Sequence, residues 1–300
     1  MLQVIDHNEP IWGTRYNNGN RENGAATYSR DIVAYQIPVL EKVLDHRDIK
    51  VLVSTCPMLH QIDQSLLPKS ADMAIQYIHT YPYDKLLKYV KEVIATSKKF
   101  TYRMIFITAY KQLHKQIVAA GGNSIFVPMS IDTRKVRESI EGVQKRNFGK
   151  EKHAIYFGNV TTLKGSTFEK TRDAFKLAGW KLDYISDSKF NGQGERLTQD
   201  EAWRRIAQYE YGVGVGRCAL EMMSMGLKVM ISGAEFGGLM TDESEFEAQL
   251  NSNLNGRIIT FNRDILTCVK LFDLSITNKT SDSRDAEEWL LRGIGAYLYD

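Results

Sequence analysis

The sequence predicts an α/β protein of two domains, each a parallel sheet flanked by helices, facing each other across a cleft. Three observations carry that expectation. Short runs rich in β-branched and aromatic residues alternate with segments of helical period along the chain. A polar, highly charged stretch interrupts the alternation near the middle. At 300 residues, the chain is long enough for two hydrophobic cores of ordinary size.

The elements follow in order. A first series of strands is expected at 2–6, 50–54, 73–79, 104–108 and 124–128, and a second at 154–158, 181–185, 228–232 and 257–260. Helical patterns lie between them. In "YDKLLKYVKEVIATS", Leu86, Leu87, Val90, Val93 and Ile94 recur at spacings of three, four and seven, the period of a helix. Strands separated by helices pair in parallel, because the crossover returns each strand to the same direction. The segment "VPMSIDTRKVRESIEGVQKRNFGKEKHAIYFG" leaves a strand at Pro128, turns polar and re-enters a strand at Ala154. The join is expected between Ile131 and Lys152, giving domains 1–140 and 141–300. The last helix, in "DAEEWLLRGIGAYLYD", is free to pack back on the first domain. Ligands of such sheets bind beyond the carboxyl ends of the strands.

Composition narrows the class. Apolar residues make up 43% and charged residues 25%, as in soluble globular proteins. The start "MLQVIDHNEP" lacks the basic and apolar regions of a leader, and no window reaches the roughly 18 apolar residues of a membrane span. The three cysteines, Cys56, Cys218 and Cys268, are scattered, which suits reduced thiols in a cytoplasmic protein without membrane insertion. No Asp-x-Asp, His-x-x-x-His or cysteine cluster is present, so neither a metal site nor a resident cofactor is expected. The net charge of +3 is unevenly spread. Residues 84–150 hold 14 Lys and Arg against 5 Asp and Glu, a net +9, so the remainder carries −6. A basic segment in an otherwise acidic chain suggests a polyanionic partner, the plainer alternative being a solvated lysine-rich helix face.

Two motifs carry candidate chemistry. In "YGVGVGRCALEMMSMGLKVMISG", Gly212, Gly214 and Gly216 remove side chains where the chain turns into a helix. A helix start offers unpaired N–H groups and partial positive charge to phosphate, and Arg217 adds a guanidinium fork. A dinucleotide fingerprint fits in its looser form from Gly214 to Ala219, but no clear strand is expected ahead of it. A glycine turn that only permits close packing is the other alternative. Glu221, about one turn inside the helix, has a carboxylate able to accept two hydroxyl hydrogen bonds, as a ribose diol would require. An exposed helix glutamate is the plainer reading. In "HAIYFGNVTTLKGSTFEKTRDAF", a strand ends at Gly158, a polar loop of Asn159, Thr161 and Thr162 follows, and Lys164-Gly165 precedes a helix. A lysine so placed holds phosphate as a point charge, although its order with the glycine is not that of a Walker loop. His79 closes the strand in "AIQYIHTYP", where it is either structural or faces a reacting group.

"YFGNVTTLKG" followed by "GRCALEMMSMGLKVMISG" resembles the nucleotide-sugar-binding domain of the GT-B glycosyltransferases, whose fold is two Rossmann-like domains facing a cleft. The resemblance implies that Lys164 binds the donor diphosphate and Glu221 the ribose. It groups Asn159, Thr161, Thr162, Gly214, Gly216, Arg217 and Cys218 around them. "NGAATYSRDIVAYQIPVLEKVL" resembles the Gly-rich loop and first helix of the other domain, with Asn23 and Gly24 closing over the phosphates. His79 falls where the family places a group facing the transferred sugar, so His79 and Lys164 are the implied catalytic residues. Two positions depart from the pattern. Val213 stands where a sugar-contacting Glu is common, and Asn159 where an Arg is usual.

Within that family, "GAATYSRDIVAYQ", "AIQYIHTYPYD", "VPMSIDTRKVR" and "NVTTLKG" resemble, in the same order, segments of the phage α-glucosyltransferases that modify hydroxymethylcytosine in DNA. This implies a retaining transfer, from a uridine diphosphate sugar to a hydroxymethylated pyrimidine in phage double-stranded DNA, in the cytoplasm of the host. The basic stretch 84–150 would then grip the DNA. Two alternatives stay open: transfer to a cell-surface glycan or lipid-linked acceptor, and a nucleotide-sugar-binding protein without activity.

Overall fold

The computed structural model describes residues 2–6, 9–12, 51–54, 59–61, 72–78, 83–109, 111–186, 197–241 and 264–274, with short pieces at 244, 246, 280, 282, 288–289 and 291–293. The chain divides into two compact units. One is Met1–Pro128 with Arg284–Asp300, the other Met129–Ser283. The join therefore falls at Pro128, ahead of the boundary at 140 expected from the sequence, and the last residues group with the first unit. Within that unit Trp289 packs edge-on against Phe126, ring centroids 5.2 Å apart.

The first unit is built on a sheet of six strands: β1 (Leu2–Asp6), β2 (Glu9–Trp12), β3 (Val51–Ser54), β4 (Met73–Ile78), β5 (Arg103–Thr108) and β6 (Ser124–Phe126). Their order is β2-β1-β3-β4-β5-β6. β2 pairs antiparallel with β1, and all other pairs are parallel. β2 has no counterpart in the sequence reading. It is an edge strand holding Pro10, a residue that lacks a ladder donor and is tolerated at edges. Helix α1 (Tyr83–Lys99) links β4 to β5, and α2 (Lys111–Ala119) links β5 to β6. Of the expected helical face of α1, Val90 and Val93 lie in the core, Ile94 packs against it and Leu87 is exposed. Val90 and Val93 are fully buried with Ala74, Ile78 and Phe106, each contributing about 1.5–3 kcal/mol by burial. No helix among the described residues is long and apolar enough to cross a membrane.

The second unit holds a five-stranded sheet: β7 (Lys152–Phe157), β8 (Trp180–Ile185), β9 (Tyr211–Gly214), β10 (Lys228–Ser232) and β11 (Phe236–Leu239). The order is β11-β10-β9-β7-β8. β7 to β10 pair in parallel, and β11 runs antiparallel to β10. The helices are α3 (Thr133–Ser139), α4 (Thr162–Leu177), α5 (Gln199–Ile206), α6 (Gly216–Ser224) and α7 (Ile265–Lys270). α4 and α7 pack on one face of the sheet. There Tyr156, Val213 and Met230 join Phe168, Phe175, Val269 and Phe272 in a continuous core. α6 covers the other face and is backed by α3, which also packs on α5. The strand expected at 257–260 lies outside the described residues.

β9 corrects the sequence reading, which made Tyr211–Gly214 part of a loop. Two glycines in four residues lower strand propensity, yet this strand sits between β7 and β10 near the middle of the sheet. The glycines face α6. A methyl at Gly212 would stand 2.5 Å from Met222 Sδ, and one at Gly214 would stand 2.8 Å from Phe157 O. Their lack of a side chain lets α6 lie close on the strand.

Candidate functional site

The sheet order of the second unit locates a crevice. From β7 the chain crosses by α4 to β8 on one side, and from β9 by α6 to β10 on the other. β7 and β9 are neighbours, with Phe157 opposite Gly214. Their carboxyl ends therefore form a topological switch point, where the two connections diverge and leave a crevice. Both motifs fall there. The loop Gly158–Thr161 leaves β7, and Val215 leaves β9. A methyl on Gly158 would stand 3.7 Å from Cys218 Sγ, so the loop after β7 lies against the first turn of α6.

The helices that open at this point lack side-chain caps. α3, α5 and α7 are capped by Asp132, Thr198 and Asp264, whose side chains accept from the first-turn amides. α4 and α6 begin after Thr161 and Val215, and neither side chain caps its helix. Their first-turn N–H groups face the switch point with no side-chain acceptor at the cap, which is the arrangement that receives an anion. Gly216 opens α6 with φ of 54°, a left-handed conformation costly to any residue with a Cβ.

Lys164 lies in the first turn of α4. Its ammonium is partly buried and has no carboxylate partner among the described residues. Burial lowers its pKa, opposed in part by the Cys218 thiol nearby. A desolvated ammonium without a counter-charge gains strongly from an incoming anion. The loop beneath it is anchored by Gly158 N donating to Ile185 O at 3.2 Å, and by Val160 N donating to Ser186 Oγ at 3.4 Å. α4 is pinned to the end of β10 by Thr167 Oγ1 donating to Ala234 O at 2.9 Å and by the Thr171–Ser232 hydroxyl pair at 2.9 Å.

Glu221 is 2% exposed and turns towards α5, not to an open edge. Oε1 accepts from Arg217 Nε at 2.8 Å and from Gln199 Nε2 at 3.2 Å. Oε2 accepts from Trp203 Nε1 at 3.0 Å. The carboxylate thus ties α6 to α5. It has about four acceptor positions in all, of which three are in use. Gln199 and Trp203 were not read from the sequence, because their partnership with Glu221 bridges two helices and has no local spacing.

Of the residues implied by resemblance, Asn159, Thr161, Lys164, Gly214, Gly216, Arg217 and Cys218 come together at the switch point. Thr162 opens α4, with its side chain outside the described set. Gly24, Asn23 and His79 lie outside the described residues. Val213 is fully buried in the core beneath α4 and α7. A residue there faces away from α6. The basic stretch 84–150 also divides, with α1, β5 and α2 in the first unit and α3 with residues 140–150 in the second.

Fold and crevice together define an α/β protein with two mostly parallel sheets and a switch-point crevice beside Lys164. Neither a protein-family model nor a curated relative matches the chain.

Proposed function

We propose that the crevice binds the diphosphate of a nucleotide sugar, a uridine diphosphate sugar in the first instance, and that the protein is a retaining glycosyltransferase of GT-B type. The observation that carries this reading is Lys164, a partly buried ammonium with no counter-carboxylate among the described residues, set beside two helix starts without side-chain caps. Such a group stabilises charge that develops on a departing diphosphate. In the proposed reaction the bond from the sugar's anomeric carbon to the diphosphate oxygen breaks. The acceptor hydroxyl bonds to that carbon on the same face, and its proton passes to the released diphosphate. A ribose hydroxyl would take the fourth acceptor position of Glu221, or replace Gln199 there.

The proposed acceptor is a hydroxymethylated pyrimidine in phage double-stranded DNA. Its support is the resemblance and the exposed basic residues of the first unit, among them Lys98 and Lys99 at the end of α1 and Lys111 and Lys115 on α2. Reaching the hydroxyl by base flipping would cost a few kcal/mol.

A second reading is favoured by β9. Gly214, Gly216 and Ala219 follow a strand and open a helix in a β-α-β unit, and the exposed Glu235 lies just beyond β10. That is the context a dinucleotide fingerprint requires. Calorimetric titration with uridine diphosphate and with nicotinamide dinucleotides separates the two. Tighter binding of the first, weakened about tenfold or more by Lys164→Ala through loss of a charge-assisted contact, supports the transferase. Preference for the dinucleotide replaces that reading. Mass spectrometry of nucleosides from hydroxymethylcytosine DNA, incubated with a panel of donors, tests the acceptor. An unshifted mass with every donor overturns it.

A further inference from the structure

The opposite edge of the same sheet holds a second crevice, at the amino ends of β7 and β8 and wholly within the second unit. It encloses about 530 Å³, a size usual for small-molecule sites. Arg146, Lys181, Arg204 and Arg205 line it, against two acids, Asp183 and Glu201.

Both acids are engaged within the protein. Glu201 Oε2 accepts from Thr198 N at 2.8 Å and Thr198 Oγ1 at 2.7 Å, closing the cap of α5. Asp183 Oδ2 accepts from Tyr209 Oη at 2.9 Å and lies 3.1 Å from His153 Nδ1. Its Oδ1 is 3.8 Å from Lys181 Nζ. The backbone oxygens beyond the end of α5 are also taken. Gln208 O accepts from Arg146 N at 2.9 Å, and Tyr209 O accepts from Lys145 Nζ at 2.5 Å. The guanidiniums of Arg146 and Arg204 have no carboxylate partner among the described residues. The floor is firm. Phe148 stacks on His153 with centroids 4.1 Å apart and planes 12° apart, and Arg146 lies 5.2 Å over the Phe148 ring.

We propose that this crevice binds a phosphate group through Arg146 and Arg204. Guanidinium forks match phosphate oxygens in pairs, and among the described residues both acids of the lining, Asp183 and Glu201, are already engaged. The phosphate comes from a small phosphate ester or from a nucleic-acid backbone. The site lies at the other end of the strands from the Lys164 crevice and does not depend on the reading of that crevice.

The test uses Lys164→Ala protein, so that the switch-point crevice does not mask the result. Inorganic pyrophosphate is titrated by calorimetry, and a labelled 20-base-pair duplex by fluorescence anisotropy. At least one ligand should bind, and adding Arg146→Ala and Arg204→Ala should weaken it about tenfold or more, as loss of charge-assisted contacts requires. Binding of pyrophosphate identifies the small-ester source. Binding of the duplex alone, declining steeply with salt, identifies the backbone. Failure of both ligands to bind, or binding untouched by the arginine changes, overturns the proposal. If circular dichroism shows that the alanine variant does not fold, Arg146→Glu is measured in its place, with the same outcomes.

Discussion

Adding a methyl to the two glycines of β9 should give unequal results, and the inequality tests how α6 is held. At Gly214 the new carbon would stand 2.8 Å from Met222 Cε and 2.8 Å from Phe157 O. The methionine end can swing away. The Phe157 carbonyl belongs to the neighbouring strand and cannot move without disturbing the β7–β9 pairing. At Gly212 the near contacts are Met222 Sδ at 2.5 Å and Leu227 Cδ2 at 3.2 Å, both side-chain atoms. Overpacking costs about 1–3 kcal/mol, and stiffening the unfolded chain returns about 0.4–1 kcal/mol. Gly214→Ala should therefore lose about 2 kcal/mol and Gly212→Ala about 1 kcal/mol or less. For a unit of this size that corresponds to roughly 4–8 °C and 2–4 °C in Tm, read by calorimetry. Because Gly214 immediately precedes Val215, the N-cap residue of α6, its variant should also bind uridine diphosphate more weakly than the Gly212 variant. Met222→Ala alone should cost about 2–5 kcal/mol. Combined with Gly212→Ala it should cost less than the sum by about 1 kcal/mol, since the methyl fills part of the void. An additive cycle, or a Gly212 variant worse than the Gly214 one, would refute the packing argument.

Two more outcomes concern the charged groups. Glu221→Gln presents an amide to the Arg217, Gln199 and Trp203 donors and should cost about 3 kcal/mol, the scale for breaking a buried ion pair. A urea midpoint within experimental scatter of the parent protein would contradict that. Lys164 is charged at a cost, because burial lowers its folded pKa below the ordinary 10.5. Its contribution to stability is therefore least favourable at neutral pH and rises as pH climbs from the folded towards the unfolded value. Lys164→Met should leave neutral-pH stability unchanged or higher, flatten that alkaline rise and abolish nucleotide binding. Lower stability with intact binding would count against the assigned role.

Much of the fold was legible where local pattern and tertiary place agree. Val90 and Val93 announce the buried face of α1 by spacing alone, and the runs at β4, β5, β7 and β10 are apolar enough to be read as buried strands. β9 was not, because its glycines answer to α6 and not to the strand's own propensity. β2 and β11 are edge strands with Pro10, Gly237 and Gly238, so their pairing depends on a neighbour that the sequence does not mark. In the crevice, Lys164 and the start of α6 were readable as separate motifs. Their meeting depends on the β7–β9 register. The direction of Glu221 was not readable, since it is set by Gln199 and Trp203 on another helix. The arginine crevice was also missed, because its residues come from the segment before β7, from β8 and from the end of α5.

The bare starts of α4 and α6 have a further consequence. A helix that begins with Asp or Ser carries its first acceptor along the chain, and losing it costs about 1 kcal/mol. α4 and α6 have no such side-chain acceptor. Under the proposed function, an anion in the crevice would stand in for the missing caps of both helices at once. Its concentration would then enter the folding equilibrium of the unit by mass action.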